Sequence, residues 1–354
     1  MAVSRMRRWL LATVLLLVLI GFAGCSTLGY YLQAMTGQLE LSRRARPIPQ
    51  VLDDERTPAE LKIRLEQVRE IREFASRELA LPDNGSYRRY ADLQRPFVVW
   101  NVFATEEFSV VPRQWCFPIA GCVAYRGYFA EDSAEKLAAQ LRDDGLDVYV
   151  GGVPAYSTLG WMDDPVLNTF IRYPETEIAR LIFHELAHQV VYLPGDSTFN
   201  ESFATAVELE GVGRWLRTQG TPGQLAAFQA AQVYRRDFAE LVARFRDRLA
   251  QLYDGSGDPE SMRSVKARIF DEMRLEYRKL REQWGGFAGY DWWFDQPLNN
   301  AQLASIAIYT QLVPGFQQLL AESGGDLPRF YAAVEALAKM PVKDRLAALD
   351  PARQ

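Results

Sequence analysis

The chain of 354 residues contains two histidines, and both fall within five positions, His184-Glu185-Leu186-Ala187-His188. The surrounding stretch, 177–193, predicts a helix with Ile178, Leu181, Ile182, Leu186 and Val190 along one apolar face. Residues four apart on a helix project to the same side, so the two imidazoles can grip one Zn2+ at about 2.0–2.1 Å each. Glu185 lies about 100° further round the helix and does not ligate easily beside them. It can instead reach a water in the open coordination position, take its proton and later hand it to a leaving amine. His-Glu-x-x-His on a helix is the pattern for that hydrolytic chemistry. The competing reading is a pair of structural histidines. Burying two imidazoles on an apolar helix would then demand two separate hydrogen-bond partners, which makes it the weaker reading.

A catalytic zinc takes three protein ligands, and no third histidine exists. The third ligand is therefore expected to be a carboxylate. Leu193-Pro194-Gly195-Asp196 should end the first helix, and Asn200 can cap a second that opens Asn200-Glu201-Ser202-Phe203-Ala204-Thr205. A helix–turn–helix of this length returns Glu201 to the metal. Glu208, seven residues on, is the alternative ligand or a partner for a ligating histidine from behind. Asp196 is a weaker rival. One Zn2+ per chain is expected.

The elements that must position these residues follow from periodicity. Thr57-Pro58-Ala59-Glu60 reads as a capping box opening a helix to about Leu79. The period then changes: residues 96–103, 108–111, 123–129 and 146–150 are β-branched and aromatic, as expected for strands of one sheet, with a helix at about 131–144. From 165 onward the pattern is helical almost throughout. Residues 222–284 predict a long antiparallel hairpin turning at 254–259, packed on the core. Strands first and helices after make an α+β arrangement. Two lobes are expected: a helix-and-sheet lobe over about 57–160 and a helical lobe carrying the metal site over about 161–345.

The N-terminus carries Arg5, Arg7 and Arg8 before an apolar run, Leu10 to Ile20, too short for a comfortable membrane span. It ends in Phe22-Ala23-Gly24-Cys25, which resembles a bacterial lipobox; that resemblance implies cleavage of residues 1–24 and lipidation of Cys25. Ser26 after the cysteine implies the outer membrane, facing the periplasm. Residues 25–56 are then expected to be a lipid-anchored tether containing a short helical stretch. Lys and Arg number 40 and Asp and Glu 45; without three of the arginines the mature charge is 37 − 45 = −8. An acidic body argues against nucleic-acid binding. The remaining cysteines, Cys116 and Cys122, enclose a proline and a glycine, and in an exported chain they read as a small-loop disulfide.

His-Glu-Leu-Ala-His followed by Asn-Glu-Ser-Phe-Ala resembles the gluzincin peptidases, in which Asn-Glu-Gly-Phe-Ala carries the glutamate ligand. Over roughly residues 24–316 the chain looks closer to a family of bacterial zinc aminopeptidases, many of them lipoproteins. The resemblance implies a gluzincin-like core, to which the hairpin read from periodicity is added, a peptide substrate, and a tyrosine or histidine donor near the developing oxyanion. No histidine is free, so Tyr309 and Tyr156 are the candidates. Arg126 could hold a substrate carboxylate, although a structural salt bridge is the blander reading. The chain also departs from the alanyl aminopeptidases. Twelve residues separate His188 from Glu201, fewer than in those enzymes, and their Gly-Ala-Met-Glu-Asn strand is absent. The matching segment, Gly151 to Thr158, could pair with an extended substrate as an edge strand. It offers no glutamate for an α-amine, leaving Asp163 or Asp164 as substitutes. The expected activity is aminopeptidase; the alternatives are a zinc endopeptidase on the same core and a non-catalytic lipoprotein stabilised by zinc.

Overall fold

A computed structural model of the chain describes residues 29–117, 121–255 and 257–350. The expected signal segment and Cys25 lie outside the described residues, as does Ser256 of the hairpin turn. The architecture is α+β and mostly helical. Helix α1 (29–44) leads into strand β1 (Arg46–Pro47), α2 (Ile48–Asp53) and the long α3 (Ala59–Leu79). Leu41, Ile48 and Val51 are buried in the main core, so the segment read as a tether is packed into the fold from residue 29 onward. The capping box does not form. Pro58 is the N-cap, with extended ψ of 139°, and Thr57 instead closes a turn on the carbonyl of Asp54.

Among the described residues the predicted single sheet is three small ones. β2 (Arg89–Ala91) pairs antiparallel with β1 and parallel with β8 (Val166–Leu167). β3 (Val99–Thr105) sits at the centre of a second sheet, between β6 (Arg126–Tyr128) and β7 (Asp147–Val153), both antiparallel to it. β4 (Trp115–Phe117) and β5 (Gly121–Val123) form a hairpin closed by the Cys116–Cys122 disulfide. The expected strand at 108–111 is a turn and loop, with one isolated bridge between Thr105 and Pro112. The run 123–129 splits because the disulfide draws its first part to β4, while Gly127 and its neighbours register on β3. Short apolar runs do not encode their partners, and only the nonlocal pairing separates the sheets.

α4 (Glu131–Asp143) covers the β6-β3-β7 sheet, and its Ala134, Ala138 and Leu141 share a small core with Val102, Ala104 and Val148. The helical half contains α5 (Glu175–Ala187), α6 (Ser197–Thr218), the hairpin α7 (Pro222–Tyr253) and α8 (Pro259–Gln283), then α9 (Asp291–Phe294) to α13 (Val342–Ala348). α3 packs on α5 and α6 rather than on the sheet, burying Phe74 between Phe183 and Trp215. Gly211 of α6 makes this approach possible: a Cβ there would lie 2.8 Å from both Leu79 and Phe183 side-chain carbons. Among the described residues no helix is long and apolar enough to cross a membrane.

Candidate metal centre

α5 is shorter than its apolar pattern suggests. It ends at Ala187, and His188 is its C-cap. Residues 188–190 continue as tight turns, with Gln189 and Val190 donating to Leu186 and Ala187 three residues back. Gln189 is pulled aside by Asn84 and Ser86, which hydrogen-bond its side-chain amide. One helical turn still separates the two imidazoles, so both aim at the same point. Their Nε2 atoms are 3.2 Å apart.

The loop to α6 is held at several points. Asp196, not Asn200, is the N-cap, accepting from the Phe199 amide, and it also pairs with Arg345 of α13 at 2.6 Å. That double duty removes Asp196 from the ligand candidates. Asn200 sits one turn in, with its side chain bonded to both N–H and C=O of Leu193 at 2.8 Å. Gly121 of the disulfide hairpin rests against this loop; its φ of +73° and a virtual Cβ 2.8 Å from the Gly195 nitrogen both require glycine. The result is that Glu201 points back at α5.

Glu201 Oε2 lies 3.2 Å from His184 Nε2 and 3.5 Å from His188 Nε2. The three donor atoms thus form a triangle with edges of 3.2, 3.2 and 3.5 Å. Ligands at about 2.0–2.1 Å around a tetrahedral ion are separated by about 3.3 Å, which this triangle matches. His184, His188 and Glu201 are all buried and form a group that can hold a metal ion. Two facing Nε2 atoms satisfy each other only if one is protonated; a cation between them satisfies both.

Glu208 lies outside the His184–His188–Glu201 group. Its carboxylate accepts from His184 Nδ1 at 2.9 Å and from Arg180 at 3.0 Å. A proton fixed on Nδ1 leaves the Nε2 lone pair aimed at the other two donors. Burial opposes protonation of His184, but hydrogen bonds to Glu201 and Glu208 outweigh it and raise its pKa to about 10. Burial would raise Glu201 as well, yet the two imidazoles bring it down to about 2. Both directions say that the centre calls for positive charge. Glu185 stands beside the triangle, half-buried, its carboxyl pushed up by burial despite both histidines.

Tyr309 of α10 (Asn300–Thr310) has its ring centroid 6.4 Å from that of His184. Ser202, next to Glu201, places it by donating to the Ile308 carbonyl and accepting from the Leu312 amide. Burial, then the charge of Glu201, lifts the Tyr309 phenol well above its ordinary value, so it stays a neutral donor. Tyr156 is edge-on to Phe129, and burial and Asp164 raise its phenol to about 12. Asp164 is buried and held by the Thr158 amide and Ser157 hydroxyl, whereas Asp163 is exposed. Among the described residues Arg126 forms no ion pair, so the expected salt bridge is not seen; its guanidinium lies 4.5 Å over the Tyr30 ring. β7 is the edge of its sheet, and Gly151 and Gly152 lie on it.

Two neighbours escaped the sequence reading. Arg180 has a detectable signal, standing four residues before His184 on the same helix face. Tyr125 has none: it follows the disulfide hairpin, its ring lies tilted 5.4 Å from that of Phe103, and it shares the surroundings of Glu201 with Tyr309.

No significantly similar curated protein is found for this chain, and no significantly similar solved structure. One family does match, over residues 29–349, which takes in every element from α1 to α13. The chain belongs to the family described as Putative aminopeptidase.

Proposed function

We propose that the chain is a zinc-dependent peptidase of aminopeptidase type, held by lipidated Cys25 at the periplasmic face of the outer membrane. The observation that carries the catalytic reading is the His184–His188–Glu201 triangle with Glu185 beside it. The family description supports the peptidase class. The anchor reading is supported by Phe22-Ala23-Gly24-Cys25 and by the Cys116–Cys122 disulfide, a bond typical of exported chains.

His184, His188 and Glu201 would hold Zn2+, which when bound would supply Lewis acidity to a scissile carbonyl and acidify water. Glu185 takes the proton from the attacking water and passes it to the departing amine nitrogen. Tyr309 donates to the carbonyl oxygen as negative charge develops there, with Tyr125 as a neighbouring phenol. Glu208, backed by Arg180, holds the His184 ring in one tautomer. The open edge of β7 pairs with the extended substrate backbone.

A second reading, endopeptidase action, is favoured by one observation. Among the candidates for binding an α-amine, Asp164 is engaged within its own loop and Asp163 faces solvent. Amino-acid amides against N-blocked peptides separate the two. In either case Glu185→Gln should retain the metal and lower turnover by about 10²–10⁴-fold. Unchanged turnover would refute Glu185 as the base and favour a non-catalytic zinc protein.

A further inference from the structure

Helix α1 carries an apolar stripe that the fold leaves open. Its inner side is committed to the protein: Gln33 bonds the Gly127 carbonyl and the Phe129 amide, and Leu41 is buried in the core. Gly37 lies so close to the Phe129 ring that any side chain would collide with it. The outer side presents Leu32, Met35 and Leu39, which are 54%, 68% and 46% exposed. Spacings of three and four residues place them on one helical face.

A second segment extends the patch. In the loop before β8, Trp161 is 80% exposed and Met162 49%. Gln38 Nε2 meets Met162 Sδ at 3.2 Å, joining loop and helix into one surface. The five residues are uncharged, and an exposed apolar cluster of this kind marks an interaction site. Tryptophan, with an apolar body and a polar N–H, favours the membrane–water boundary.

The chain's covalent geometry selects the occupant. α1 is helical from residue 29, four residues beyond Cys25. Four residues span at most about 14 Å even when fully extended. Acylation of Cys25 therefore brings the start of α1 to the bilayer surface. We propose that Leu32, Met35, Leu39, Trp161 and Met162 seat in the interfacial layer of the bilayer that holds the anchor, an inference that rests on the anchor reading above. The same loop abuts the metal-bearing helix, with Ser157 Oγ 3.5 Å from the Glu185 carbonyl and Gly160 against Gln189. Seating fixes α5 at the membrane surface and orients the catalytic centre there.

The test uses the full chain, processed in its host and reconstituted into phosphatidylethanolamine–phosphatidylglycerol vesicles. Subtracting the fluorescence of Trp161→Phe from that of the parent isolates position 161. That component should be quenched by lipids brominated near the headgroup and shielded at least about twofold from aqueous acrylamide. Met35→Glu, a change at an exposed position, should return it to water. A chain that does not sediment with vesicles overturns the anchor reading and the seated face with it. A chain that sediments while Trp161 stays open to acrylamide overturns the face alone. Shielding from acrylamide without lipid quenching, with copies cross-linking to each other, overturns the bilayer in favour of a second copy.

Discussion

The α5–α6 pair and the α7–α8 hairpin are both helical and both packed, but they are stabilised in opposite ways. The hairpin core is apolar and aromatic. Phe238 stacks on Tyr290 at 4.1 Å and meets Trp293 edge-on, and Tyr277 stacks on Phe294 at 4.0 Å. Most of its ion pairs lie toward the surface, as in the Arg244–Glu276 pair, and the most shielded one, Lys266–Asp147, sits at its contact with β7. Between α5 and α6 the interior instead contains His184, His188, Glu201 and Glu208, all buried, with Arg180 alongside. Burying charge is costly unless each group is paired, and removing one partner strands the other. A fold that accepts this cost on one helix pair and avoids it on the next has a use for those groups. The contrast supports the proposal that α5–α6 carries the chemistry and the hairpin supports it.

The contrast breaks down if the two regions respond alike to substitution. The largest effect on folding is expected in the hairpin. Phe238→Ala should destabilise the chain by about 3–5 kcal/mol in denaturant unfolding, with the metal site intact in the folded fraction. In α5–α6 the readout shifts to metal. Glu208→Gln frees Arg180 and loosens the His184 tautomer, and should weaken zinc binding about 10–100-fold in a chelator competition. The smallest effect is expected on the hairpin surface. Arg244→Ala removes an exposed ion pair and should shift stability by less than about 1 kcal/mol, and less still at high salt. A large loss there would mean that the hairpin depends on charge after all.

Much of the centre was legible because its determinants are local. His184, Glu185 and His188 share one turn, and Glu201 follows after a short loop, so chain connectivity keeps it close and the contacts of that loop aim it. Glu208 kept two readings open, and the contacts of its carboxylate with Arg180 and His184 Nδ1 favour the partner behind the histidine. The hairpin was legible for a similar reason: a sustained helical period with a Gly- and Asp-rich break. The sheets were less so. Cys116, Cys122 and the strand at 126–128 are neighbours in sequence, yet the disulfide and the register on β3 send them to different sheets. Tyr125 was invisible for the same reason, since its place near Glu201 depends on where that corner docks. Capping misled twice. Asp196 took the position assigned to Asn200 because side chains of similar type compete for one helix end, whereas Pro58 stands at the N-cap assigned to Thr57 with no side-chain cap at all.

The central claim is that His184, His188 and Glu201 hold one catalytic zinc. Metal analysis of the full chain, purified without chelators, tests it most directly. The account predicts one Zn2+ per chain in the parent and in Glu185→Gln, and a loss of bound zinc in Glu201→Ala. A folded parent chain without stoichiometric metal, or a Glu201→Ala chain that binds zinc as tightly as the parent, would contradict it.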